Sequence, residues 1–339
     1  MGEEVTHLLI YSLGGELVSE GKKYLYGPVP SRRLGLSLGV DIVPLKVCTL
    51  DCIYCQLGRS SQKTLTRKIY APLQDVLSEL KGRIESGLRA DYITIGGSGE
   101  PTLHSQLGEL IEAIKDVSRI PVAVLTNGTL FYEPAVRADC SRADVVLPSL
   151  DAGDEQTFNR INRPHNCIRL EQLVEGLCAF RAEYSGAVWL EVFLVEGINT
   201  ETREVDKIAG LIRRIRPDKV QLNTAVRPGT EPGVSAVRPE RLEAIASQLV
   251  GALKANAGTD EPRPQVEVIA DFASVRHAKP AATTSENLAA MLKRRPCSLD
   301  DICRAAGLSR QEALKQLTAL RQNGAVRREK INRKVFYRA

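Results

Sequence analysis

The sequence predicts an α/β fold, a full or partial (β/α) TIM-type barrel followed by a small winged helix-turn-helix domain. Three observations lead there. Between about Leu38 and Ile269, short apolar or β-branched runs alternate with helix-period segments across Gly, Pro or Asn turns, and that alternation implies a parallel sheet. Six or seven such units are enough to close most of a barrel. Beyond Ala282, three helix starts precede a short basic ribbon.

The expected strands are Leu38–Val43, Tyr92–Ile95, Val122–Thr126, Asp144–Pro148, Val188–Val195, Lys219–Asn223 and Val266–Ile269. Amphipathic segments lie between them, among them Pro72–Gly87, with Leu73, Val76, Leu77 and Leu80 on one face, and Leu107–Ser118, with Leu107, Leu110, Ile111 and Ile114. Residues 1–25 read as an N-terminal extension, 26–275 as the barrel, 276–282 as a linker and 283–339 as the second domain. In that domain, Thr283-x-x-Glu286, Ser298-x-x-Asp301 and Ser309-x-x-Glu312 each fit a capping box or its Asp variant. One helix stops at Gly307, and Val326–Tyr337 reads as a hairpin.

At 339 residues and 43% hydrophobic, the chain can bury one large core or two modest ones. Its longest apolar run, Val188–Val195, is broken by Glu191 and falls far short of a membrane span. The apolar cluster Leu8–Ile10 is too short for a signal peptide. A cytoplasmic location is therefore expected, where eight cysteines argue for metal or redox chemistry rather than disulfides. The charge is asymmetric. From Pro280 onward lie 13 of the 46 Lys and Arg but only 5 of the 41 Asp and Glu, which leaves 33 against 36 upstream. Such a tail suits an anionic partner or a solvated basic helix face.

Three cysteines, Cys48, Cys52 and Cys55, crowd into C-T-L-D-C-I-Y-C. Structural zinc closes a tetrahedron with four ligands, and a dithiol redox motif needs one pair. A cubane iron–sulfur cluster held by three thiolates keeps one iron open to an exogenous ligand. Zinc completed by a nearby His or Asp is the competing reading.

The spacing Cys48-x-x-x-Cys52-x-x-Cys55, with an aromatic at Tyr54, resembles the signature of the radical S-adenosylmethionine (radical SAM) superfamily. The resemblance implies a [4Fe–4S] cluster whose open iron is chelated by SAM, reductive cleavage of SAM, and hydrogen abstraction by the deoxyadenosyl radical. It also implies an electron donor such as flavodoxin or ferredoxin. G-G-S-G-E-P, Gly96–Pro101, resembles the loop that takes the SAM ammonium, which puts Ser98, Gly99 and Glu100 on it. L-T-N-G at 125–128 and P-S-L-D at 148–151 resemble SAM-side motifs of the radical enzymes of molybdopterin biosynthesis, which implies contacts from Asn127, Ser149 and Asp151. Asn199, in G-I-N after the fifth strand, resembles the adenine-side loop. Singly, each of these marks also reads as a turn or a helix cap. Tyr26–Asp41 together with K-V-C-T-L-D-C-I-Y-C-Q-L-G is similar to iron–sulfur oxidoreductases grouped with the wyosine-type tRNA-modifying radical enzymes. That likeness spans roughly residues 24 to 275.

Arg32 and Arg33, Arg160, Arg163 and His165, and Arg227 stand where cations would meet an anionic substrate. Arg32 and Arg33 read equally as a cap on the barrel floor, and Arg160, Arg163 and His165 as a basic helix C-terminus. In the tail, Arg310, Lys315, Arg327, Arg328, Lys330, Arg333 and Lys334 are candidate nucleic-acid contacts, and peptide recognition along a strand edge is the alternative. The functional expectation is a radical SAM enzyme acting on an unidentified substrate, RNA or nucleotide-like chemistry among the possibilities. The competing reading is an iron–sulfur or SAM-sensing regulator that binds DNA through a winged helix.

Overall fold

The computed structural model describes residues 23–60, 62–226, 229, 231, 233–255, 263–269, 285–331 and 334–339. The elements begin with β1 (Leu25–Ser31), β2 (Gly35–Val40), β3 (Val47–Cys48), β4 (Gln62–Lys63), α1 (Leu73–Glu85), β5 (Tyr92–Ile95), α2 (Leu107–Val117), β6 (Val122–Leu125), α3 (Pro134–Cys140) and β7 (Val145–Leu147). They continue with α4 (Glu155–Asn162), α5 (Leu170–Glu183), β8 (Ala187–Leu194), α6 (Thr202–Ile215), β9 (Lys219–Thr224), α7 (Pro239–Ala255) and β10 (Gln265–Val268). The C-terminal set is α8 (Ser285–Arg294), β11 (Cys297–Ser298), α9 (Leu299–Ala306), α10 (Arg310–Gln322), β12 (Arg327–Ile331) and β13 (Lys334–Arg338).

The main sheet runs β1-β2-β5-β6-β7-β8-β9-β10. Its strands are parallel from β2 to β10, and β1 alone is antiparallel. This is a partial barrel with its seam between β1 and β10. Helices cover the outer face, so the strands are buried on both sides and read as apolar runs. Helix α6 shows the matching stripe, with Val205, Ile208, Ala209, Ile212 and Ile215 buried. The expected first strand, Leu38–Val43, instead starts at Gly35, because pairing with β1 extends it backward, and it ends at Val40. Two prolines and a glycine hide β1 in the sequence. It tolerates them as an edge strand, with a bulge between Tyr26 and Val29.

The β1–β2 turn enters the barrel. Leu34 is buried there against Ala123, Val145 and Leu147. Beside it, Arg32 Nη1 donates to Ile269 O at 3.0 Å, just past β10, and so ties the two sheet edges across the seam.

After the barrel, α8, α9 and α10 share a core of Leu288, Leu292, Ile302 and Leu317 with the three-stranded sheet β11-β13-β12. Ser298 with Asp301, and Ser309 with Glu312, form reciprocal capping boxes, and Gly307 closes α9 at φ 64°. Each such cap is worth about 1 kcal/mol. Val29 of β1 packs against this second core. The expected extension is described only from Lys23, while the expected linker and the Thr283 cap lie outside the described residues. Among the described residues no helix is long and apolar enough to cross a membrane.

Candidate functional site

Cys48 ends β3, and Cys52 and Cys55 lie on the loop that follows it, at the C-terminal end of the barrel. None of the three is in a disulfide, and all are partly buried. The end of α4 carries this loop from behind, through Asp51 N to Asn162 O at 3.0 Å, Ile53 N to Ile161 O at 2.9 Å and His165 N to Thr49 O at 2.9 Å. Each sulfur meets its own nitrogen donor. Lys46 Nζ reaches Cys55 Sγ at 3.0 Å, Asn162 Nδ2 reaches Cys52 Sγ at 3.4 Å, and Asn127 Nδ2 and Leu50 N reach Cys48 Sγ, each at 3.5 Å. Burial pushes the Cys48 thiol up to about 12, with Glu100 adding to it, and pushes Cys52 well above its ordinary value, with Asp151 adding. Thiols in such a place ionise when a bound cation supplies the compensating charge.

Tyr54 turns inward. Its hydroxyl donates to Asp151 Oδ2 at 2.6 Å, and its ring stacks on Phe193 with centroids 3.8 Å apart. Asp151 also accepts from Asn162 Nδ2 at 2.7 Å and from Phe193 N at 2.9 Å. Burial raises its pKa to about 6 despite those three bonds. One carboxylate thus fixes both Tyr54 and the amide that faces Cys52. Asn162 Oδ1 is buried with no hydrogen-bond partner.

The glycine-rich loop after β5 lies against the segment that precedes Cys48. Lys46 N donates to Ser98 O at 2.7 Å and Glu100 N to Val47 O at 3.0 Å. A Cβ on Gly99 would overlap the Val47 carbonyl oxygen, so only glycine permits this approach. Ser98 donates Oγ to Asp41 Oδ2 at 2.5 Å and N to Asp41 Oδ1 at 3.0 Å. Glu100 is buried, and both of its carboxylate oxygens accept hydrogen bonds. Thr102 N, Thr102 Oγ1 and Thr126 Oγ1 donate to its Oε1, and Asn127 N donates to its Oε2 at 2.8 Å. Burial raises its pKa while those donors oppose the shift. Asn127 links this loop to the cysteines, since its Nδ2 also reaches Thr49 Oγ1 at 2.8 Å. Ser149 is half-buried and bridged to Glu191 through the backbone. Asn199 is fully buried, and its amide accepts from Val195 N and donates to the carbonyls of Asp151 and Phe193.

The expected cations separate. Arg32 Nη1 donates to Asn223 Oδ1 at 2.9 Å, Arg33 pairs with Glu191 at 2.8 Å, and Asn223 Nδ2 donates to Glu191 Oε1 at 2.7 Å, which forms one network inside the barrel. Arg163, left-handed at φ 45°, ends α4 and pairs with Glu231 at 2.8 Å. Arg160 is exposed on α4, and His165 supports the cysteine loop. Arg227 and Arg333 lie outside the described residues. Arg310, Lys315, Arg327, Arg328, Lys330 and Lys334 are exposed on the C-terminal module, with Arg310 paired to Asp300 at 2.8 Å. A cavity of about 340 Å³ runs from Cys55 and Gly97 past Arg33 and Glu191 to α8.

Four contributors are not apparent in the sequence. Lys46 is buried and left-handed at φ 62°, which nothing in its composition announces. Asn162 stands inside F-N-R-I-N-R-P-H, overshadowed by its arginines, and its buried side chain is the available signal. Asp41 and Arg294 meet across 253 positions, beyond the reach of any local pattern.

The donor set suits a multi-iron cluster. A cluster takes one thiolate at each of several irons, and here three thiols within eight residues act on one another, each sulfur with its own nitrogen donor.

Comparison with known proteins agrees with this. Residues 42–209 match the model of the radical SAM superfamily. A UPF0026 protein of Methanocaldococcus jannaschii is 36% identical over 66% of this chain and 69% of its own length. A Brachyspira hyodysenteriae protein named GTPase Obg is 37% identical over 93% of this chain, which spans only 45% of that protein. No G-x-x-x-x-G-K-[ST] phosphate loop occurs in the present sequence. The structure of Streptococcus suis SuiB bound to S-adenosylmethionine superposes with a TM-score of 0.52 at 15% identity, covering 75% of this chain and 54% of that one. At that identity the likeness is one of fold.

Proposed function

The chain belongs to the UPF0026 family and to the radical SAM superfamily, and from that premise we propose that it abstracts hydrogen from a substrate held beside Cys55 and Gly97. Its cofactors are a [4Fe–4S] cluster and SAM. When bound, the pair supplies one-electron cleavage of the sulfonium and the hydrogen-abstracting fragment.

The chain's own part is to bind, orient and insulate. Cys48, Cys52 and Cys55 are the proposed cluster ligands. The Ser98–Gly99 backbone, Asn127 and Ser149 are the proposed SAM contacts. Glu100, Asp151, Tyr54 and Asn199 are read as positioning residues, because their polar atoms are already engaged by the protein. The observation that carries this reading is the convergence of three thiols, each with its own nitrogen donor, beneath a glycine loop. The regulator reading has no comparable support.

We read the C-terminal helices and sheet as a winged helix-turn-helix, whose exposed Arg327, Arg328, Lys330 and Lys334 suit nucleic acid or an acidic peptide. An electron donor of the flavodoxin or ferredoxin kind and kinship with the wyosine-type enzymes are proposed on the same footing. The deciding test is anaerobic reconstitution and dithionite reduction, after which SAM should yield 5′-deoxyadenosine and methionine. Cys52→Ala should lose that product and the absorbance near roughly 400 nm, while circular dichroism stays unchanged. A fully active alanine variant would falsify the ligand set.

A further inference from the structure

The C-terminal module forms part of the reaction cavity. Met291, Arg294 and Arg295 on and just after α8 line the same space as Cys55 and Gly97. The helix is held in place there by Arg294, whose Nε donates to Asp41 Oδ2 at 2.9 Å while its guanidinium lies 4.4 Å over the Tyr26 ring.

We propose that this cavity binds a small organic anion carrying phosphate or carboxylate groups as substrate, and that the C-terminal module supplies part of the receptor. The proposal rests on the radical SAM reading above and specifies its substrate class. Charge is the first argument. Among the described residues, four arginines, Arg32, Arg33, Arg294 and Arg295, and one carboxylate, Glu191, line the cavity. Arg33 pairs with Glu191 and Arg294 with Asp41, and among the described residues Arg295 forms no ion pair. Guanidinium groups match the planar forks of carboxylate and phosphate.

Size is the second argument. About 340 Å³ lies near the lower end of the range of roughly 300 to 1,000 Å³ usual for small-molecule sites. That space takes a metabolite and excludes a folded macromolecule. Position is the third: the opposite wall is Cys55 with the backbone of Gly96 and Gly97, so a ligand gripped by the arginines lies beside the proposed cofactor loop. The basic strands β12 and β13 carry more exposed charge, yet they line no described cavity.

The full chain, prepared anaerobically, is titrated by calorimetry with inorganic pyrophosphate and separately with malonate. Saturable one-site binding of at least one anion is expected. Arg295→Ala should weaken it by about tenfold or more, as expected for losing one charge-assisted fork. Arg295→Lys should fall between, and the exposed Lys315→Ala should stay within about twofold of the parent. Absence of saturable binding by both anions, or equal weakening by Lys315→Ala and Arg295→Ala, overturns the proposal. So does a short single-stranded RNA that binds more tightly than pyrophosphate and responds to Lys315→Ala but not to Arg295→Ala. Iron–sulfur absorbance and 5′-deoxyadenosine formation are recorded on the same samples. Their loss with anion binding retained sinks the radical reading alone, and the converse sinks the anion site alone.

Discussion

Arg294 and Asp41 form an ion pair that joins the two cores, with side chains only 16% and 8% exposed. Asp41 in turn holds Ser98 through two bonds, so α8 and the glycine loop share one carboxylate. Removing one partner of a buried pair strands the other's charge and costs about 3–5 kcal/mol. Arg294→Ala should therefore speed hydrogen exchange both in α8 and at residues 97–99. Exchange that changes in α8 alone would show that Asp41 does not couple them.

Gly99 is where the glycine loop touches the segment leading to Cys48. An added Cβ would overlap Val47 O and lie 2.7 Å from Val43 Cγ1, and such overpacking typically costs about 1–3 kcal/mol. Gly99→Ala should lower the urea midpoint and raise the SAM dissociation constant. Gly251→Ala, in α7 with nothing within 4 Å of the new methyl, should raise stability by up to about 1 kcal/mol. Equal behaviour of the two variants would contradict the contact.

The parallel strands were legible because burial on both faces leaves continuous apolar runs: Tyr92–Ile95 has the same bounds in sequence and structure, and Val122–Thr126 differs by one residue. The helix starts at Ser298 and Ser309 were legible because a capping box is a local device. The cysteine spacing is local too. Illegible were the interactions made by distant partners. Glu100 sits in the expected loop, but only the fold reveals that Thr126 and Asn127 consume its oxygens. Arg163 and His165, which read equally as a substrate clamp and as a basic helix C-terminus, pair with Glu231 and hold the cysteine loop from the end of α4.

Lys46 places an ammonium 3.0 Å from Cys55 Sγ in a side chain that is almost fully buried. A nearby cation stabilises the more negative, reduced state of a cluster. Lys46→Met keeps the chain length and removes the charge, so the midpoint potential of the reconstituted protein should fall by on the order of tens of millivolts. Potentiometric titration followed by paramagnetic resonance measures it. An unmoved midpoint with full iron content would mean that the ammonium does not act on the cluster.

Asp151 gives a pH signature that can be read without iron. Burial raises its carboxyl from 3.8 to about 6, against bonds from Tyr54, Asn162 and Phe193. The folded chain therefore holds this proton more tightly than the unfolded chain does. The resulting contribution to stability is complete below about pH 4 and is lost as pH rises through about 6. A rise of that size is worth about 3 kcal/mol. Asp151→Asn cannot titrate, so the difference in unfolding free energy between parent and variant should change by about that amount between pH 4 and 7, the parent losing relative to the variant. Urea melts of the metal-free proteins across that window provide the measurement. Parallel pH profiles would mean that the carboxylate beneath Tyr54 is not the buried, proton-holding group its surroundings require.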